Sequence, residues 1–290
     1  MMATFVLTEG NTSLPHLSRK QHAVVAFIER NPRFATFATA TELAARADVH
    51  PSTVVRLAQV AGYRGFPEFQ EAIRHRYLAS LDAVSLMNER VATRPGSAPL
   101  ASLDQDLRNV TATRNILDLP LIRRVAEMIL GASKTLFIGN GSHGGLGIIF
   151  AHLCQFMGLP VEAEIRGGIS IAPRIAQMTH EDVLLGTSAW WVVGEMHHSF
   201  AFAQSRGVPT VAIVDSQVSP LTGVADHVLV TSSESASFFQ SMTGPLVLLN
   251  ALVSEIADLG GASFRQSMDE TSRAFINLDV AWQGVDRHRR

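Results

Sequence analysis

The stretch that most constrains this chain is residues 39–62, whose pattern predicts two short helices joined by a tight turn. Thr39 and Glu42 have the spacing of a capping box, so a helix is expected to begin there. Pro51 suits the first turn of a second helix, where its missing N–H costs nothing. Gly62 is a common residue at the C-terminal end of a helix. This arrangement is typical of a helix-turn-helix unit.

The second predicted helix has two chemically different faces, as helical periodicity shows. The polar face holds Ser52, Arg56 and Gln59, with Thr53 at its edge, and the apolar face holds Val54, Leu57, Ala58 and Ala61. In a helix-turn-helix, the N-terminal part of the second helix contacts base edges, and an arginine there can pair bidentately with guanine. The polar face therefore suits a DNA groove. The alternative is an ordinary helical hairpin that binds no DNA.

This helix and the residues after it carry a resemblance to a known family. The run S-T-V-V-R-L at 52–57, the Gly-Tyr step at 62–63 and the Gly-Phe-Pro knuckle at 65–67 resemble the N-terminal domain of the RpiR (MurR-like) bacterial transcription regulators. The resemblance covers residues 17–80 and implies binding to double-stranded operator DNA. The residues that we expect to contact DNA are Thr41, Pro51, Ser52, Thr53, Arg56, Gln59 and Arg64.

Length and composition favour a two-domain globular protein. The chain has 290 residues, of which 47% are hydrophobic. It contains no run of 18 apolar residues, so we predict no membrane span, and residues 1–16 lack the cationic region of a signal peptide. The single cysteine, Cys154, fits a reducing compartment. We expect a cytoplasmic protein whose first 16 residues form a mobile arm.

Charge and proline content indicate where the chain divides. Residues 1–80 contain nine Arg and Lys against six Asp and Glu, whereas residues 81–290 contain fifteen against twenty, and a mildly basic head suits phosphate contacts. Two prolines and a glycine at 94–99 indicate a linker, and helical periodicity returns at Leu103. The predicted divisions are a mobile arm at 1–16, a head at 17–81, a linker at 82–103, a body at 104–262 and a C-terminal extension at 263–290.

After Lys134 the pattern changes to alternating strands and helices. Short apolar runs lie at 135–139, 160–165, 182–188, 209–215 and 227–231. Such alternation predicts a five-stranded parallel sheet with helices on both faces. The fold class is therefore an all-α head followed by an α/β body. A last helix over 238–258 contains Pro245 and is expected to kink or restart there.

The loop after the first predicted strand is rich in glycine. Residues 139–144 match G-x-G-x-x-G, and Glu162 and Glu164 follow about 20 residues later, as in a dinucleotide-binding fingerprint. N–H groups at a helix N-terminus also accept other phosphates or carboxylates. At this point the residues leave a nucleotide and another anionic ligand both open.

A second resemblance covers residues 105–260, which are similar to a SIS (sugar isomerase) domain, the sugar-phosphate-binding module of RpiR-type regulators. It rests on GNGSHGG at 139–145, on Asp215, on SPL at 219–221 and on Ala-Asp at 225–226. The resemblance implies that this domain dimerises and binds a small-molecule effector. The effector contacts expected are Asn140, Gly141, Ser142, His143, Ser188, Trp190, Trp191, Ser232, Ser233 and Glu234.

The loop after the third strand departs from the family pattern S-x-S-G-x-T, which holds the phosphate. Ser188 is kept, but Trp190, Trp191 and Val193 stand in place of Ser, Gly and Thr. Indole rings cannot replace small hydroxyl groups, although they offer a large flat surface with one donor. We predict an effector other than a typical sugar phosphate. The alternative is a loop that has lost its ligand, with the tryptophans at a subunit interface.

The remaining candidates do not make a convincing catalytic or metal site. Glu195 and His198 share a helical face, but His197 does not, and Phe238 and Phe239 are expected in the core. We predict no catalytic residue, no metal and no cofactor. The favoured hypothesis is a regulator that is a homodimer or homotetramer. The alternatives are a SIS-fold sugar-phosphate isomerase, a nucleotide-binding enzyme that uses the 139–144 loop, and a ligand-free dimeric scaffold.

Overall fold

The structure is a computed structural model of the 290-residue chain. It describes residues 17–81, 84–85, 88, 96–190, 192, 194–217, 219–237 and 239–278. The expectations for the arm at 1–16, for Trp191, Val193 and Phe238, and for the chain after residue 278 lie outside the described residues. The chain forms two compact units. The head extends to Ala101 and includes the segment Ala236–Phe239, and the body comprises the rest.

Helices around a single apolar core make up the described part of the head. They are α1 (Arg19–Arg30), α2 (Pro32–Phe37), α3 (Ala40–Arg46), α4 (Pro51–Val60) and α5 (Phe66–Ser80). The capping box of Thr39 and Glu42 is confirmed, and Ser18 forms a second one at the start of α1. Gly62 has a φ of +92°, the left-handed conformation that a helix stop requires. Helix α2 is an addition to the prediction, since Pro32 begins a new helix directly after Asn31.

Helix α6 (Ala98–Ile116) begins earlier than the predicted linker allows. The prediction counted Pro99 as a helix breaker, but Pro99 lies in the first turn, where no backbone N–H is needed. The apolar side chains Leu103 and Leu107 of this helix are exposed.

The body contains a parallel sheet of five strands in the order β2-β1-β3-β4-β5. The strands are β1 (Thr135–Ile138), β2 (Val161–Glu164), β3 (Val183–Ser188), β4 (Thr210–Val214) and β5 (His227–Val230), and all five predicted strands are confirmed. The register pairs Ile138 with Glu164, and Val214 with both Ser188 and Val230. The carboxyl ends of the strands therefore lie along one edge of the sheet.

Helices cover both faces of this sheet, as predicted. One face packs on α7 (Leu119–Gly131), α8 (Ser142–Phe156) and α11 (Thr243–Asn277), and the other packs on α9 (Ala172–Ala176) and α10 (Gly194–Ser205). The first core includes Phe137 and Phe150, whereas the second includes Leu184 and Phe200. Alternate side chains of each strand point to opposite faces, so both cores draw on every central strand.

Helix α11 begins later than the predicted 238, and of the two expectations at Pro245 the restart agrees with the structure. Pro245 does not kink it, because the helix begins at Thr243 and Pro245 lies in its first turn. The non-helical residue is Gly261, with a φ of +47°. Among the described residues, no single helix is long and apolar enough to cross a membrane; the two halves of α11 meet that test only together and are bent by 110°. The expectation that Phe239 lies in the core is wrong, because its side chain is 73% exposed.

Candidate functional site

Helix α4 separates its polar and apolar residues by face, as the periodicity predicts. Val54 and Leu57 are fully buried in the core of the head. Arg56 and Gln59 are exposed, and Thr53 is half-buried at the edge. The exposed face also carries Val55 and Val60, so it presents methyl groups as well as donors. A face with this chemistry can contact both base edges and thymine methyl groups.

The N-terminus of α4 is capped by a residue that the sequence analysis missed. His50 accepts a hydrogen bond at Nδ1 from the backbone N–H of Ser52 (3.2 Å), and the same nitrogen lies 2.8 Å from Ser52 Oγ. Histidine is not among the usual capping residues, so no sequence signal indicated it. Ser52 is therefore held in place at the start of the polar face.

The other residues predicted to contact DNA lie close to α4 in the chain. Thr41 is exposed on α3, and Pro51 is the first residue of α4. Arg64 forms an ion pair with Glu68 (3.4 Å) while its side chain is 86% exposed. An exposed pair of this kind is weak, so phosphate can compete with Glu68 for the guanidinium group.

In the body, several loops that follow strands meet at the carboxyl edge of the sheet, where open α/β sheets bind ligands. The glycine loop after β1 has a conformation that its residues require. A Cβ on Gly139 would lie 2.8 Å from the backbone carbonyl carbon and oxygen of His143, too close for any side chain. Within this loop Gly141 and Ser142 are exposed and Asn140 is half-buried.

His143 lies beneath this loop and not at its surface. Its ring is 6% exposed, with Nδ1 3.3 Å from Thr187 Oγ1 and Nε2 2.7 Å from Gln240 Nε2. Burial lowers the pKa of His143 to about 4, and the contact with Gln240 opposes this only in part. His143 is therefore neutral at pH 7 and joins β3 to the segment before α11.

The segment after β3 adopts an unusual backbone conformation at Trp190, whose φ is +58°. The backbone N–H of Trp190 donates to Asp215 Oδ2 (3.0 Å), and Ser233 Oγ donates to the same oxygen (3.3 Å). Ser188 is buried at the end of β3. Asp215 was known from the sequence only as part of the family pattern, although its position directly after β4 is a signal that it belongs to this edge.

The segment after β5 is held by α6. Ser232 Oγ donates to Asn109 Oδ1 (2.9 Å), and Asn109 Nδ2 donates to the backbone oxygen of Glu234 (2.7 Å). Thr113 Oγ1 accepts from Ser232 N (3.1 Å). The sequence analysis missed Asn109 and Thr113, even though two polar residues four positions apart on one helical face are a recognisable pattern. Ser233 is 1% exposed, and its hydroxyl proton is already donated to Asp215.

The acidic residues considered for a nucleotide are already engaged. Glu164 is 1% exposed and pairs with Arg166 (3.0 Å) and Arg174 (3.3 Å). Hydrogen bonds from Arg166 lower the pKa of Glu164 to about 2, with Arg174 contributing and burial opposing. Glu162 also pairs with Arg174. The buried Glu164 is therefore not available for a ribose hydroxyl, and Arg174 competes with such a ligand for Glu162.

In the part of the chain that the structure describes, no group of side chains is placed to bind a metal ion. The rings of His197 and His198 lie edge to face, 5.7 Å apart, and no group of three potential ligands is present there. Glu195 instead accepts a hydrogen bond from the backbone N–H of Gly168 in the loop after β2. A Cβ on neighbouring Gly167 would lie 3.2 Å from Asn140 Nδ2, so this loop adjoins the glycine loop.

Comparison with known protein families matches both units. Residues 6–80 match the family of helix-turn-helix domains described as rpiR family, and residues 128–255 match the SIS domain. A curated relative in Haemophilus influenzae, described as an uncharacterized HTH-type transcriptional regulator, is 27% identical over 233 residues, which cover 79% of this chain and 80% of the relative.

Two solved structures share the fold. The sugar isomerase domain of an RpiR transcription factor from Sphaerobacter thermophilus has 27% identity and a TM-score of 0.58, covering 60% of this chain and 98% of that one. The NanR protein of Vibrio vulnificus, solved in complex with ManNAc-6P, has 22% identity and a TM-score of 0.58, covering 90% of this chain and 94% of that one.

Proposed function

Because this chain belongs to the RpiR type of transcription regulator, with a helix-turn-helix domain followed by a SIS domain, we propose that α4 reads an operator half-site and that the body binds an effector at the carboxyl edge of its sheet. The observation that carries the first part is the exposure of Arg56 and Gln59 opposite the fully buried Leu57. We propose Thr41, Pro51, Ser52, Thr53 and Arg64 as further DNA contacts.

The effector is proposed to be a small sugar-derived molecule other than a typical sugar phosphate. NanR of Vibrio vulnificus, which shares the fold, was solved with ManNAc-6P, which supports a sugar derivative. In this chain Trp190 and Val193 replace two hydroxyl-bearing residues of the family's phosphate loop. The proposed contacts are Asn140, Gly141, Ser142, Ser188, Trp190, Trp191, Ser232, Ser233 and Glu234, with His143 as a support beneath the glycine loop.

We propose that the chain regulates and does not catalyse. Sugar-phosphate isomerisation needs an acid and a base within hydrogen-bonding reach of the substrate. At the carboxyl edge, His143 is buried and both of its ring nitrogens have partners, so it cannot exchange protons with a ligand. The relative in Haemophilus influenzae is likewise described as a regulator.

A homodimer is the proposed working assembly, since dimeric helix-turn-helix proteins bind two half-sites about one helical turn apart. Its operator is then a palindrome. The effector acts by binding one arrangement of the two heads more tightly than another, because only differential affinity shifts such an equilibrium. We place the protein in the cytoplasm, where bacterial chromosomal DNA lies.

The test is operator binding by the full chain and by Arg56→Ala. Footprinting on DNA upstream of the gene identifies the site, and fluorescence anisotropy measures affinity. Loss of a bidentate arginine–guanine pair should weaken binding about 5- to 150-fold per half-site. Arg265→Ala, an exposed arginine on α11 in the body, is the matched control and should bind as the parent protein does. Equal affinity of Arg56→Ala and the parent chain would show that α4 does not read the DNA through this face.

A further inference from the structure

His50 satisfies the backbone at the N-terminus of α4 in two ways. Its φ of −76° and ψ of 144° are those of an N-cap residue. The N–H of Thr53 donates to the backbone oxygen of His50 (2.8 Å), and the N–H of Ser52 donates to its Nδ1 (3.2 Å). Pro51 has no N–H. Residues 51–53 therefore offer no backbone donor to a DNA phosphate, and contacts from this turn must come from side chains.

The hydrogen bonds at His50 Nδ1 fix the positions of two protons. A backbone N–H is always a donor, so the nitrogen that accepts from Ser52 N has no proton of its own. Ser52 Oγ lies 2.8 Å from the same Nδ1. Because Nδ1 has no proton to give, the hydroxyl of Ser52 is the donor in this contact. A proton on Nδ1 would instead face the N–H of Ser52, which is repulsive. The ring proton of His50 is therefore on Nε2.

The hydroxyl of Ser52 then has only acceptor positions left for a partner. A serine hydroxyl has one proton and two lone pairs, and the proton is donated within the protein. Phosphate oxygens are acceptors, and so are guanine N7 and O6, adenine N7 and thymine O4, so none of them can pair with this oxygen. The donors in the major groove are the amino groups of adenine (N6) and cytosine (N4). The exposed Ser52 thus suits a base amino group.

Arg56, one turn further along the same exposed face, has the opposite chemistry. Its guanidinium group contains only donors and suits the N7 and O6 acceptors of guanine. Residues four positions apart are neighbours on a helix surface, so Ser52 and Arg56 face adjacent positions along a groove. One of them requires a donor on the DNA and the other requires acceptors.

We propose that Ser52 reads a base amino group, the N6 amino of adenine or the N4 amino of cytosine, and that His50 sets this selectivity by accepting the hydroxyl proton of Ser52. The inference rests on the proposed function, because it assigns a chemical role to residues of the DNA-reading face proposed there. His50 is a positioning residue, and Ser52 makes the contact. Without His50 the hydroxyl is free to donate to a phosphate or a base acceptor, and the selectivity is lost.

The experiment uses operator duplexes in which single base groups are changed. Footprinting with the full chain identifies the operator, and the base pair that Ser52 contacts is the one at which Ser52→Ala relaxes the sequence preference. At that pair, purine in place of adenine or 2-pyrimidinone in place of cytosine removes the amino group. A 7-deazapurine removes the N7 acceptor instead. Fluorescence anisotropy measures the affinity of the parent chain and of Ser52→Ala for each duplex.

Loss of the amino group should weaken binding of the parent chain about 3- to 10-fold more than binding of Ser52→Ala, since one hydrogen bond is lost. Loss of N7 should affect both proteins equally. The comparison with Ser52→Ala cancels the effect of the altered base on the duplex itself. An amino change that affects both proteins equally, or an N7 change that affects the parent more, overturns the proposal.

Two variants of His50 separate its effect on Ser52 from its capping of α4. Aspartate is a preferred N-cap residue and only accepts hydrogen bonds. His50→Asp should therefore keep the amino effect, although its negative charge lowers the affinity for every duplex. Glycine is tolerated at an N-cap but has no acceptor for the hydroxyl, so His50→Gly should retain the thermal unfolding of the parent and lose the amino effect. The same amino effect in both variants contradicts the role of His50.

Operator binding separates this inference from the function on which it rests. If the chain protects an operator and depends on Arg56 but on no base amino group at Ser52, the regulator stands and the role of Ser52 is wrong. If no DNA is protected, the proposed function fails and this inference fails with it.

Discussion

In the head, the residues proposed to contact a partner lie on or beside one ten-residue helix, α4, whereas in the body they come from loops far apart in the chain. The α4 face is open, and Arg56 and Gln59 project from a helix whose other side is fully buried. In the body, His143, Ser188 and Ser233 are buried. A partner as large as a DNA duplex needs an exposed surface, while a small ligand is selected by groups that are already held in place.

The two sites also differ in how their polar groups are satisfied. On α4, Arg56 and Gln59 are exposed to solvent, whereas Ser52 is hydrogen-bonded to His50. At the sheet edge nearly every polar group named here has an internal partner, as for Ser232 with Asn109 and Gln240 with His143. Changes on α4 should therefore alter binding without altering the fold. Changes at the sheet edge should alter both.

The largest effect should separate the two faces of α4. Leu57→Ala removes a fully buried side chain and should lower the free energy of unfolding of the head by about 2–5 kcal/mol. Val60→Ala, on the same helix but 41% exposed, should stay within about 0.5 kcal/mol. The measurement is urea denaturation followed by far-UV circular dichroism. The helices of the head contain no tryptophan, so tryptophan fluorescence does not report on the core around α4 and should not respond to either change. Equal destabilisation by both variants would mean that the assigned faces of α4 are wrong.

An intermediate effect should appear in the body at low pH. The pKa of His143 is about 4 in the fold, because of burial, against an ordinary value of 6.5. Between these values the unfolded chain binds more protons, so the body loses stability as the pH falls from 6.5. The loss of stability from His143 should reach about 2–3 kcal/mol by pH 4.5. Glu164 has a pKa of about 2 in the fold, so most of the stability that its ionised form contributes is lost at lower pH, between about 4.5 and 2.

Urea denaturation at pH 7 and 4.5, followed by tryptophan fluorescence, measures this loss. His143→Asn should flatten the pH dependence of the unfolding free energy, although the variant is less stable at pH 7. His152→Asn, an exposed histidine on the same helix α8, should leave the slope as it is. A slope that His143→Asn does not change would assign the pH dependence to another group.

The smallest effect should come from the N-terminal cap of α3, the first helix of the helix-turn-helix. Thr39→Ala removes the side chain that caps α3 and should destabilise the head by about 1 kcal/mol. The backbone N–H of Thr39 and, to a smaller extent, its hydroxyl lower the pKa of Glu42. The variant keeps the N–H and removes the hydroxyl, so that pKa should rise only part of the way toward its ordinary value. Thr41→Ala, two positions on and exposed, lacks any capping role and is the control for the thermal melt. A melt of Thr39→Ala that matches this control would contradict the capping box.

The sequence was most informative where one short segment contains the whole feature. The capping box of α3 and both faces of α4 depend on residues within about one turn of each other, and these were predicted. The cap of α4 was missed because histidine is not among the usual capping residues. The short α2 was missed because Pro32 and Asn31 look like a simple break. At Pro245 the prediction left a kink and a restart open, and the start of the helix at Thr243 agrees with the restart. The position of a proline within its helix decides its effect, and the pattern alone did not fix that position.

Local sequence patterns thus determined the helix-turn-helix, the positions of the five strands along the chain and the glycine loop. Each of these features depends on residues that are neighbours in sequence. Only the tertiary structure decided which distant side chains meet at the sheet edge: Asp215 with Trp190, Gln240 with His143, and Asn109 with Ser232. The physical reason is that each parallel strand is reached by a crossover that returns the chain to the same edge. Residues separated by 25, 97 and 123 positions therefore become neighbours, and no repeating pattern in the sequence encodes those pairings.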